Sequence, residues 1–66
     1  MEIVVNGQAR QVADGLRVSA LLEMLELGSR RLAIEVNREI VPRSRFATQQ
    51  LQAGDQVEIV QAIGGG

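Results

Sequence analysis

Few of the side chains that usually carry chemistry are present in this sequence. Among 66 residues there is no Cys and no His, so the common strong nucleophile and the common general base are both missing. Ser19, Ser29, Ser44 and Thr48 carry hydroxyls but have no base to activate them. Glu23 and Glu26 read as the wet face of a helix, not as a carboxylate pair in a cleft. No spacing suits a metal ion, and no catalytic or metal-ligating residue is assigned. What remains is the end of the chain, Gly64-Gly65-Gly66. A terminal carboxylate titrates near 3.3–3.7, so at neutral pH it is an anion and a poor electrophile. It can accept a new group only after activation. At about 3.3–3.6 Å per residue, three extended glycines carry that carboxylate roughly 10 Å beyond a folded body, and they fit a slot too narrow for any side chain. The competing reading is a frayed terminus, since glycines are costly to order and chain ends often stay loose. What the rest of the chain can position decides between the two.

The composition narrows the choice. A chain of this length forms one domain and buries only about 60% of the surface its unfolded form exposes. Without Cys or His, neither disulfide nor zinc can staple it, so Leu, Ile and Val must supply the core. Missing cysteine also points to a cytoplasmic setting. No apolar run approaches the roughly 20 residues of a membrane span, and no signal-peptide pattern opens the chain; no membrane partner is expected. The net charge is −1, with seven basic residues spread along the sequence and Phe46 the only aromatic. Stacking platforms and a basic stripe are absent, so no nucleic acid is expected either. All seven basic residues are Arg. A compositional bias accounts for the missing Lys; so would an activated terminus that must not meet a side-chain amine.

The elements that must position the tail read as follows. Met1, Ile3 and Val5 alternate with Glu2 and Val4, the period of a strand with one buried face. Asn6-Gly7 is a hairpin turn, because both residues tolerate positive φ, and a second strand runs from about Gln8 to Ala13. Asp14-Gly15 turns the chain again. Val18, Leu21, Leu22 and Leu25 then form one stripe of an amphipathic helix. Arg17 stands at its N-cap without an acceptor, so Ser19 is an alternative start, and Gly28 is placed to end it in a left-handed conformation. Leu32–Val36 is a third strand, Asn37-Arg38-Glu39 a turn, and Ile40-Val41 a short strand stopped by Pro42. Ser44 to Gln50 is a short helical turn or an irregular connection, with Phe46 against the core edge. After a turn at Ala53-Gly54-Asp55, the last strand spans Gln56–Ala62, with Val57 and Ile59 inward.

This order describes an α+β domain of two layers. The simplest closure is a β-grasp (ubiquitin-like) architecture over residues 1–63, a mixed sheet of four to five strands packed on one main helix, with first and last strands parallel neighbours. Residues 64–66 follow as a flexible glycine tail. On the outward face the pattern places Val4, Val60 and Ala62, with Ile63 leading into the tail. Several aliphatics converging there suggest a partner docking face; a one-residue slip of register would instead turn them inward.

The chain resembles the ThiS-type sulfur carrier proteins of thiamine biosynthesis. The resemblance spans its full length: Asn6-Gly7, Val18 to Leu25, Asn37 with Ile40-Val41-Pro42-Arg43, Gly54-Asp55 and the terminal Gly65-Gly66. Arg17 departs from it, since relatives often carry a capping Ser or Thr there. The resemblance implies that Gly66 is adenylated by an E1-like adenylyltransferase (ThiF-type), which uses ATP and magnesium. A cysteine-persulfide sulfur donor then yields a thiocarboxylate, and a thiazole synthase (ThiG-type) receives the sulfur. Gly64 and Gly65 enter the partner's active site, Gly64 only as reach. The chain itself binds no cofactor, is no enzyme, and is expected to be a monomer when free. MoaD-like carriers of molybdopterin synthase and ubiquitin-like modifiers share the terminal Gly-Gly; MoaD-like chains are usually longer.

Overall fold

The computed structural model describes residues 1–28 and 30–61. Strands β1 (Glu2–Val5) and β2 (Gln8–Gln11) pair antiparallel. Asn6 and Gly7 between them take φ of 49° and 81°, as a type I′ turn requires. Helix α1 (Val18–Met24), β3 (Leu32–Val36), β4 (Glu39–Val41), a 3-10 turn (Arg43–Arg45) and β5 (Gln56–Gln61) follow. The five strands form one sheet in the order β2-β1-β5-β3-β4. β1 and β5 run parallel, and the remaining neighbours run antiparallel. The alternation along β1, β3 and β5 sends Ile3, Val5, Ile34, Val36, Val57 and Ile59 to one face, where they share a core with Val18, Leu21 and Leu22 of α1. Each such side chain contributes about 1.5–3 kcal/mol by leaving water. This is the expected β-grasp.

The helix begins where the Arg17 reading placed it, not at the Ser19 alternative, and its other end differs from the sequence expectation. The helix starts at Val18, and its N-cap Arg17 makes no side-chain cap. The orphan donors go instead to a distant segment: the Val18 N–H donates to the Gln49 carbonyl at 3.0 Å and the Ser19 N–H to the Phe46 carbonyl at 2.8 Å. Ser19 therefore lies inside the helix. At the other end the left-handed residue is Glu26, with φ of 59°, and Gly28 stays outside that region. The Glu26 N–H donates to the Glu23 carbonyl and the Leu27 N–H to the Leu22 carbonyl, the two bonds of a Schellman motif. Burying Leu27 against the core offsets the cost of a non-glycine residue at positive φ.

Smaller differences are at the margins. β2 stops at Gln11, and all four of its residues are exposed, as suits a sheet edge; Val12 just beyond it is buried. β4 begins one residue early, at Glu39. Leu51 lies in a stretch without periodicity, yet it is only 1% exposed. Its N–H donates to the Leu16 carbonyl at 2.7 Å, which pins the loop across the helix entry.

Candidate functional site

β5 leads into the tail, and two asparagines hold it. On its β3 side it is paired throughout, from Leu32↔Gln61 to Val36↔Val57. On its β1 side the register covers only Val4↔Gln56 and Val5↔Val57, because the chain then turns away at Asn6. The Asn6 side chain takes over the pairing there. Its Oδ1 accepts the Ile59 N–H at 2.8 Å, and its Nδ2 donates to the Ile59 carbonyl at 3.3 Å. Asn37, in the β3–β4 turn, does the same at the start of the strand: its Oδ1 accepts the Gln56 N–H at 3.0 Å while its Nδ2 donates to Asp55. Both asparagines have positive φ, a conformation this residue type tolerates. Sequence reading assigns them to turns alone. Their second role involves partners up to 53 positions away, which no local pattern reports.

Of the predicted site residues, Ala62, Ile63, Gly64, Gly65 and Gly66 lie outside the described residues. Val4 and Val60 both fall on the outward face, but the register separates them. Val4 stands beside Ala9 and Gln56, whereas Val60 stands beside Ala33. Four positions along β5 amount to roughly 13 Å, so the two valines share a face without forming one patch. Val4 is half-buried and Val60 is 63% exposed. Val60 borders a shallow hollow with Leu32, Ala33, Gln61, Arg31 and Arg43. The next cross-strand pair inward on this face is Glu35 opposite Glu58, with Ile40 on β4 opposite Glu35. Ile40 is 71% exposed; the sequence marked its strand but not its outward position.

Among the described residues no polar or charged side chain is buried. None of their His, Cys, Asp and Glu side chains form a group of three or more that could hold a metal ion.

The strand order and the single helix define a ubiquitin-like β-grasp domain. A family model described as "ThiS family" matches residues 3–66, and the chain belongs to that family. It is 42% identical over 66 residues to the sulfur carrier protein ThiS of Escherichia coli, covering all of both chains. It is 46% identical to a thiazole synthase of Paramagnetospirillum magneticum, but there it spans only 20% of the relative's length. The crystal structure of a thiamine biosynthesis protein (ThiS) from Geobacter metallireducens superimposes with a TM-score of 0.85 at 33% identity, covering both chains fully. The resemblance read from the sequence and the fold agree.

Proposed function

We propose that this chain is a sulfur carrier of thiamine biosynthesis, with the sulfur borne on the Gly66 carboxyl group. The full-length likeness to Escherichia coli ThiS carries the reading. The chemistry of the sequence supports it: the chain has no His or Cys, and a main-chain carboxylate after glycines is a group that other enzymes can reach. An E1-like enzyme of ThiF type transfers AMP from magnesium ATP to the Gly66 carboxylate, releasing pyrophosphate. The terminal sulfur of a cysteine persulfide then attacks the acyl carbon. AMP leaves with the bonding electron pair, and an acyl disulfide joins the two proteins. A second thiolate attacks the donor-side sulfur of that S–S bond, which frees the Gly66 thiocarboxylate and leaves a disulfide on the donor side. A thiazole synthase takes the sulfur; that 20% of one such enzyme resembles this whole chain supports the pairing. ATP and magnesium stay with the adenylating partner, and the cycle is assigned to the cytoplasm.

Ordering three glycine backbones in the partner costs about 3–6 kcal/mol. Main-chain hydrogen bonds return about 0.5–1.5 kcal/mol each, and side-chain contacts made by the folded body must supply the rest. The test is deletion of Gly66. The shortened chain should lose all sulfur loading while its thermal midpoint stays unchanged, and loading that survives the deletion contradicts the proposal.

A further inference from the structure

The Asn6-Gly7 pair takes no part in the carrier chemistry, yet it has a reactivity of its own. A main-chain nitrogen that gives up its proton to hydroxide can add to the side-chain amide carbon of the asparagine before it. Between Gly7 and Asn6 this closes a five-membered succinimide. The bond from the amide carbon to Nδ2 breaks, the leaving nitrogen takes a proton from water, and ammonia departs. Water then opens the ring at either carbonyl, so position 6 becomes aspartate or its isoaspartate isomer. Hydroxide is regenerated and only water is consumed. Glycine favours the attack because no side chain shields its nitrogen, and the space around Gly7 is open: a β-carbon there would meet nothing within 4 Å. Asn6 is exposed as well. The other asparagine, Asn37, precedes Arg38, whose side chain hinders the corresponding nitrogen.

The fold restrains this reaction. Asn6 Oδ1 accepts the Ile59 N–H at 2.8 Å and Nδ2 donates to the Ile59 carbonyl at 3.3 Å. Ring closure makes the amide carbon tetrahedral and expels Nδ2, so the clasp on β5 is given up on the way to the succinimide. We propose that Asn6 is a latent deamidation site gated by that clasp, intact while the clasp is closed and converted when it opens. Conversion in turn undoes the clasp. Aspartate at position 6 keeps an acceptor for the Ile59 N–H but sets a carboxylate oxygen against the Ile59 carbonyl, where Nδ2 had donated. Isoaspartate lengthens the main chain by one methylene, which a two-residue turn closed by Val5 and Gln8 cannot absorb without disturbing the register. Either product releases the part of β5 that β1 does not reach, two residues before the strand ends at Gln61. Hydrolysis is irreversible, so the site accumulates a record of how long the clasp has been open. The reaction needs no partner and is independent of the carrier reading.

The experiment is incubation of the full chain at mildly alkaline pH, with and without denaturing urea, followed by mass spectrometry with fragmentation. In urea, residue 6 should gain the mass of exchanging an amide NH2 for OH while Asn37 stays unconverted over the same period. Without urea, conversion at residue 6 should be slower by about tenfold or more, the effect of two hydrogen bonds that the ring closure must break. The product itself is tested in Asn6→Asp, whose folded domain should exchange the Ile59 amide faster than the wild type by about threefold or more. Equal conversion rates with and without urea overturn the gate. An Asn6 that survives in urea, or that Asn37 outpaces, overturns the site. An Asn6→Asp domain whose Ile59 amide is as protected as in the wild type overturns the coupling to β5.

Discussion

Ile59 and Val60 are neighbours in β5 and have opposite surroundings. Ile59 is 8% exposed and sits in the core with Val57, Ile34 and the helix, while Val60 is 63% exposed beside Ala33 and two arginines. One face of the strand is saturated with contacts inside the chain, and the other holds an aliphatic and four charges that the described residues leave unmatched. The difference separates the two faces of one strand: the inward residues hold the core, and the outward residues are not committed to it.

Substitution at the adjacent positions gives the largest contrast. Ile59→Ala should cost about 2–5 kcal/mol, a fall in thermal midpoint on the order of 10–30 °C for a domain this small. Val60→Asp should leave the fold within about 1 kcal/mol and weaken partner binding. Equal stability losses at the two sites, followed by circular dichroism melting, would contradict the separation of faces. Asn6→Ala comes next. It removes both side-chain bonds to Ile59 and puts alanine, which tolerates positive φ less well than asparagine, at φ of 49°, for a loss of about 1–3 kcal/mol. Amide exchange should quicken at Ile59; an Ile59 amide as protected as in the wild type would show that β3 alone holds the strand. Glu58→Lys is the smallest effect and the most informative. Opposite Glu35 it replaces repulsion by attraction and should stabilise the domain by about 0.2–1 kcal/mol, read as a small rise in thermal midpoint. A thermal midpoint that Glu58→Lys leaves unchanged or lowers would show that the two carboxylates do not repel across the strands.

How much of this was legible depended on the distance over which each feature is decided. Strand alternation at Ile3, Ile34 and Ile59, the Val18–Leu25 stripe and the Asn6-Gly7 turn are local signals, and the sheet with its helix follows from them. The helix ends are not local. Carbonyls of Phe46 and Gln49 cap its start, so Arg17 needs no capping side chain; burial of Leu27 ends it at Glu26 although Gly28 was the better residue for the conformation. Leu51 gave no periodic cue because its stretch crosses the core once. For the candidate site, the outward side of Val60 could be read from parity. Its distance from Val4 could not, since parity fixes a face and only the β1–β5 register fixes position along it. The arginines at the hollow come from β3's approach and from the turn after β4, and only the sheet order brings them together.

The central claim is that the working group of this protein is the carboxyl of Gly66. The most direct measurement is the intact mass of the full chain after incubation with the ThiF-type enzyme, magnesium ATP, a persulfide donor and a reducing thiol. The account predicts a gain equal to exchanging one oxygen for one sulfur, localised by fragmentation to Gly66 and absent when ATP is withheld. A chain whose mass is unchanged, or one recovered only as isopeptide adducts on other proteins, would contradict it.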